Sequence, residues 1–142
     1  VTDVAAVTVN SGEGEYGQIV QIIGKGATGN GESGYAFSDP HRTTLRRAYN
    51  RISSAYGRWI CYVFDAPPDA LPLEGGSGSG DSGGPVLLQS GQDWVLAGLT
   101  SWSDPQSTAR VPGRYGQVSC NVRLSHYREW ITGVMTGVTT GT

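Results

Sequence analysis

Gly80-Asp81-Ser82-Gly83-Gly84-Pro85 is the segment whose residue types and spacing could do chemistry. A serine becomes a nucleophile where its hydroxyl projects from a sharp turn, and such a turn needs residues that lack a Cβ. Glycines on both sides permit unusual backbone angles and let a substrate backbone come close. The same bend aims the backbone N–H groups of Gly80 and Ser82 at one point. There they would stabilise a developing oxyanion, an effect of about 3–4 kcal/mol per donor. Pro85 then starts a strand at a place where a missing N–H is tolerated. The plain alternative is a flexible linker, and Gly75–Gly80 (GGSGSG) alone would fit one. Against it, the segment leads straight into the apolar run Val86-Leu87-Leu88.

The elements that must hold this bend read as strands. Gln18–Ile23 is a β-branched run closed by Gly24 and Gly26. Arg46–Ile52 and Arg58–Phe64 follow, split by a turn over Ser53–Gly57. Beyond the bend come Pro85–Gln89, Trp94–Trp102 and Tyr115–Val122, with Ser90–Asp93 as the hairpin loop between the first two. That makes six strands, plus a weak one at Val4–Val9. Residues 27–44 are punctuated by Gly, Ser and Pro and read as a long surface loop. Pro67 and Pro68 keep residues 66–70 out of any central strand. Leu124, Tyr127, Ile131 and Val134 recur at helical spacing, with Ser125 available as N-cap and an end before Gly137. Thr136–Thr142 has nothing to bury and reads as a frayed tail. The sequence predicts an all-β, six-stranded antiparallel barrel with a C-terminal α-helix packed against it.

Composition removes several function classes. The 142 residues suit one domain. A formal net charge of −2 gives no footprint for nucleic acid. No apolar run approaches the roughly 20 residues that span a bilayer. Four Trp, seven Tyr and two Phe are more core material than a disordered chain carries. Twenty-two glycines suit a turn-rich β fold. Cys61 and Cys120 are the only cysteines and form no CxxC pair, which disfavours zinc. One disulfide and two buried thiols both remain open at this point, and the glycine-rich, low-charge composition favours an exported protein with the disulfide. The chain opens Val1-Thr2-Asp3 without an export signal's basic and apolar regions, so any signal has been removed or lay far upstream.

The segment 80–85 resembles the active-site signature of the chymotrypsin/trypsin-type serine proteases. Ser101-Trp102-Ser103 resembles the family's Ser-Trp-Gly edge, and residues 121–131 (NVRLSHYREWI) resemble its closing strand and helix. Gln21–Gly26 followed by Thr28-Gly29 sits where members open their second barrel, and Leu73-Glu74-Gly75 is similar to bacterial secreted members. The likeness covers about residues 17–135. It implies a Greek-key barrel that is one half of a double-barrel serine endopeptidase. On this division 1–16 is the connector between barrels, 17–122 the barrel, 123–135 the helix and 136–142 the tail.

The resemblance also implies roles. Ser82 would be the nucleophile, with Gly80 and Ser82 supplying the oxyanion-hole N–H groups. Asp81 would hold an α-amino group freed when a zymogen is cut; otherwise it is a turn-capping aspartate. Ser101 would hydrogen-bond the triad aspartate, and Trp102 would line the substrate cleft, unless they are a plain strand serine and a core Trp. Gly76, six residues before Ser82, stands where trypsin-like members place an aspartate, so Gly76 and Ser77 imply an uncharged pocket floor, with Glu74 and Asp104 as the acids that could intrude. Ser79 and Ser103 complete the implied substrate-binding set. The family's cysteine before the Asp-Ser pair is replaced by Gly78, while Cys61 matches a family cysteine and lies on a strand that borders the one carrying Cys120. A Cys61–Cys120 bridge would be worth about 4 kcal/mol.

The departures matter as much. The family's His base and Asp orienter belong to a first barrel that precedes everything here. His41, in the long loop, and His126, on the helix, match neither and read as solvent-facing. A serine without its base is a poor nucleophile. The expectation is therefore a chain inert alone, whose partners are a protein or peptide substrate and an N-terminal half or second chain carrying His and Asp. Nothing calls for a metal or organic cofactor, and neither nucleic acid nor membrane is an expected partner. Two other readings compete. One is a catalytically silent, protease-like binding module. The other is a serine esterase, whose G-x-S-x-G is matched literally by residues 80–84 but wants a following helix where this chain has a strand.

Overall fold

The computed structural model describes residues 3–40, 42–104, 107 and 111–137. One antiparallel sheet contains β1 (Ile19–Gly24), β4 (Arg46–Arg51), β5 (Ser54–Tyr56), β6 (Trp59–Val63), β7 (Pro85–Ser90), β8 (Asp93–Ser103) and β9 (Val118–Arg123). Its strand order is β4-β1-β7-β8-β9-β6-β5. The two edge strands, β4 and β5, are joined only by Ile52-Ser53. Two residues reach roughly 7 Å, whereas a flat sheet would hold its edges nearly 30 Å apart at about 4.8 Å per strand. The sheet must therefore curl until its edges approach. Asn50 on β4 closes part of the gap by donating to Val63 O on β6 at 3.0 Å and to Gly75 O at 2.9 Å.

Inside the curl lies a core of Val20, Ile22, Ile52, Ile60, Tyr62, Val86 and Ala97. Ile60 and Tyr62 point into it, so by strand alternation Cys61 points to the other face. There it bonds Cys120, its direct cross-strand partner in the β6–β9 pair, with Cα atoms 4.2 Å apart. The short Cα separation is that of a non-hydrogen-bonded pair, where opposed side chains come closest.

Several expectations need correction. The sheet has seven strands, because Ser54–Tyr56, read as turn, pairs with β6 around Gly57. The long loop 27–44 contains a small hairpin, β2 (Gly29–Asn30) with β3 (Gly34–Tyr35). Val4–Val9 is not a strand; it makes one parallel bridge, Val9 to Leu96. The hairpin turn between β7 and β8 is only Gly91-Gln92, with Gly91 at φ +62°. Among the described residues no helix is long and apolar enough to cross a membrane.

The C-terminal segment departs most. It opens as a 3-10 turn (Leu124–Tyr127) and continues as α1 (Arg128–Gly137), so the helix includes Thr136 and Gly137. Ser125 is not the N-cap: that position is Arg123, without a side-chain cap bond. The Ser125 hydroxyl instead donates to Glu15, which also takes two hydrogen bonds from Arg123 at 3.0 and 2.9 Å. Leu124 and Ser125 are buried, whereas no residue of α1 is, and Trp130 and Met135 are exposed. The helix is thus anchored to the curled sheet through its opening turn and not through its apolar face. Residues 138–142, expected to be frayed, lie outside the described residues.

Candidate active site

The bend at 78–84 is built by short backbone bonds around one carboxylate. Asp81 N–H donates to Gly78 O at 3.0 Å, and Gly84 N–H donates to Asp81 O at 3.0 Å. The half-buried Asp81 side chain accepts from Gly26 N–H at 2.7 Å and from Gly78 N–H at 2.8 Å. This ties the bend to the segment that follows β1. Gly24 at the end of β1 and Gly26 just beyond it are both required, since a Cβ on either would fall 2.0 or 2.5 Å from the nearest Asp81 atom. Gly80 at φ +96° and Gly83 at φ +83° occupy the left-handed region that favours glycine. The bend is also fixed to β8, with Gly83 N–H on Thr100 O at 2.8 Å and Thr100 N–H on Gly84 O at 2.9 Å.

Between these anchors Ser82 is exposed. Among the described residues, neither Gly80 N–H nor Ser82 N–H is engaged in a hydrogen bond. The Arg42 guanidinium lies against Gly80, where a Cβ would come within 2.1 Å of Nη2, and its Nη1 donates to Phe37 O at 2.9 Å.

A cavity of about 540 Å³ opens beside Ser82. It brings together Ser77, Ser79, Gly80, Ser82, Ser101, Trp102 and Ser103 from the sequence-derived set. Four consecutive β8 residues, 100–103, reach it, which strict strand alternation would forbid. The register shift between Thr100 and Trp102 inserts Ser101 as an extra residue, and such a bulge re-aims side chains. Trp102 is 39% exposed and meets Trp59 edge to face at 5.5 Å, so it is no core residue. Gly76 is not in this wall. It lines a neighbouring cavity of about 280 Å³, together with Asp81, Gly24 and Gly26. Glu74 also lines that second cavity, and its carboxylate is taken up by the N–H groups of Asp65 and Leu71. Asp104 lies in the wall of the first.

Three residues escaped the sequence reading. Gln117 is 3% exposed and lines both cavities. A lone Gln within the expected strand Tyr115–Val122 carries no local signal. Tyr35 comes from the hairpin in the long loop; burial raises its phenol above the ordinary value, a bond with the Ser79 backbone opposes this, and the nearby Asp81 charge adds to the rise. Tyr62 sits beneath the site next to Ser77 and Ser119, and full burial pushes its phenol up. Of the two histidines, His126 is exposed, packs against Tyr127 at 4.9 Å and is absent from the wall of either cavity. His41 lies outside the described residues. Among the described residues no three His, Cys, Asp or Glu side chains gather as a metal centre requires.

The family model described as Trypsin matches residues 6–131. Transmembrane protease serine 11C of the mouse (Mus musculus) is 41% identical over 54 residues, which cover 37% of this chain and 11% of that protein. Among solved structures, neuropsin, a serine protease expressed in the limbic system of mouse brain, superposes with a TM-score of 0.58 at 21% identity, over 93% of this chain and 54% of that one. The chain therefore spans about half of the solved protease and a smaller part of the curated relative.

Proposed function

This chain belongs to the trypsin family of serine proteases, and from that premise we propose that it is the nucleophile-bearing half of an exported serine endopeptidase. Ser82 is its nucleophile, one Greek-key barrel of two is its architecture, and the His base and orienting Asp come from a polypeptide part outside these 142 residues. The observation that carries this reading is the exposed Ser82 on a glycine bend, beside a cavity, with the N–H groups of Gly80 and Ser82 unengaged among the described residues.

In the reaction Ser82 Oγ attacks the scissile carbonyl carbon while its proton passes to the partner's imidazole. The carbonyl oxygen becomes an oxyanion received by Gly80 and Ser82 N–H. The imidazolium returns the proton to the leaving nitrogen, the C–N bond breaks, and water then hydrolyses the Ser82 ester. Ser101, Trp102 and Ser103 run beside the substrate backbone, and Ser77 and Ser79 border its side chain. Asp81 serves activation: an α-amino group entering the 280 Å³ cavity would ion-pair with a carboxylate that two backbone N–H groups already orient. The Cys61–Cys120 bridge agrees with an oxidising compartment.

Labelling by a fluorophosphonate probe tests the proposal. The chain alone should label slowly, and adding the His- and Asp-bearing half should accelerate labelling at Ser82 and restore peptide turnover, with both lost in Ser82→Ala. Fast peptide turnover by the chain alone would refute the division of labour. Absence of labelling in the reassembled protein would leave a silent binding module.

A further inference from the structure

We infer that the Cys61–Cys120 bridge is a positioning pair, which sets the span over which Trp59 braces Trp102 and so fixes the Trp102 wall of the cavity beside Ser82. The effect on substrate rests on the protease reading, whereas the geometry stands without it. Cys120 is the direct cross-strand partner of Cys61 on β6 and of Trp102 on β8. The three residues therefore form one row across the sheet, and directly opposed residues share a face. Trp59, two residues before Cys61, lies on that face too. Its ring meets Trp102 edge to face at 5.5 Å, and the Arg58 guanidinium lies over Trp59, 5.6 Å from the ring centre.

Little else holds Trp102 in this attitude. The β8–β9 ladder is irregular between Thr100 and Trp102, so Trp102 does not inherit its facing from the strand before it. Among the described residues its indole N–H has no hydrogen-bond partner, and its ring stacks on Trp59 alone. β6 and β8 lie two strand spacings, roughly 10 Å, apart with β9 between them. The brace therefore passes over β9, and its reach depends on how closely β6 sits against β9. Cys61 and Cys120 are a non-hydrogen-bonded pair, and the Cys61 carbonyl turns the other way, accepting from Ser53 N–H at 2.9 Å. The ladder bonds lie to either side of such a pair, so side chains alone join the two strands there. The disulfide makes that junction, with Cα atoms 4.2 Å apart.

The first test uses the 142-residue chain. Two indoles held edge to face couple their transitions, and circular dichroism reads the coupling as a paired band that Trp59→Phe or Trp102→Phe abolishes. Replacing Cys61 and Cys120 together by Ala should remove most of that band at urea concentrations where the sheet is still folded. A bridge that only stabilises the fold would lower the urea midpoint and leave the band unchanged, and that result overturns the inference. The second test uses the reassembled protease and a peptide substrate. The alanine pair should raise KM about threefold to tenfold, the worth of one aromatic pair, with kcat unchanged. Trp59→Leu, which keeps the bridge and removes the brace, should raise KM equally, and Trp59→Phe should restore it. Should the alanine pair fail to fold, Trp59→Leu decides, and an unchanged KM in that variant overturns the inference. No turnover in the reassembled protein, with the band lost as expected, sinks only the protease reading. Turnover with the band and KM unaltered in the alanine pair sinks only the positioning role.

Discussion

Asp81 and its glycines show how residues that lack a side chain position one that has chemistry. Gly26 is buried, and its absent Cβ leaves the place where the Asp81 carboxyl carbon lies, 2.5 Å from where that Cβ would be. Gly26→Ala must displace the carboxylate and break the 2.7 Å bond from residue 26 N–H. Losing a hydrogen bond to a charged group costs about 1.5–3 kcal/mol. Gly83 differs: nothing lies within 4 Å of its absent Cβ, so Gly83→Ala bears only the strain of φ +83°, about 1–2 kcal/mol. Urea denaturation should rank Gly26→Ala as the more destabilising, and only that variant should also slow fluorophosphonate labelling of Ser82 through movement of the bend. Equal losses in stability would mean that the carboxylate is not held as described. At this scale the bend 80–85 is legible because it is local, one turn with its own glycines. The buried place of Gln117 is not, because it depends on Ser77 and Gly113, neighbours that only the folded sheet brings to it.

Strands are legible in the sequence where apolar, β-branched residues run together, and not where they do not. β1, β4, β6, β7, β8 and β9 all lie near their expected spans. β5 is Ser-Ala-Tyr with only its middle residue half-buried, so it carries no apolar period, and its strand character comes from pairing with β6. In α1 the apolar period is present in the sequence but nothing in the structure buries it. An apolar pattern shows which residues favour burial but not whether a surface to cover them lies in the same chain. Two features of the sheet give measurable consequences. The Cys61–Cys120 bridge closes a loop with a sequence separation of 59, so replacing both cysteines by Ala should cost about 4 kcal/mol in the chain-entropy view. Thr100 on β8 has a buried hydroxyl with no hydrogen-bond partner among the described residues. Thr100→Val removes that desolvated oxygen and should stabilise the chain by about 1 kcal/mol. A lower denaturation midpoint in Thr100→Val would show that the hydroxyl does have a partner.

Across the whole molecule, the contact that joins the two ends of the described chain is ionic. Glu15 is fully buried, and Arg123, whose side chain is 11% exposed, meets it at 2.9 Å across a separation of 108 residues. Burial by itself would raise the Glu15 carboxyl, but the bonds from Arg123 and Ser125 outweigh it and hold the group below its ordinary value of 4.5. A carboxylate with a depressed native pKa binds its proton more weakly folded than unfolded. Its contribution to stability is therefore complete above about pH 4.5 and is lost as pH falls through the lower native value. Glu15→Gln keeps the shape but leaves the Arg123 guanidinium without its counter-charge. Breaking a buried pair from one side costs about 3–5 kcal/mol. The nearby Glu13–Arg128 pair is the control, with side chains 61% and 44% exposed, and Glu13→Gln should change stability by less than about 1 kcal/mol. Urea midpoints measured from pH 7 downwards should show the unaltered chain losing stability on the acid side faster than Glu15→Gln, so that the two curves converge. Curves that stay parallel below pH 4.5 would mean that Glu15 is not what fastens the segment before β1 to the C-terminal turn.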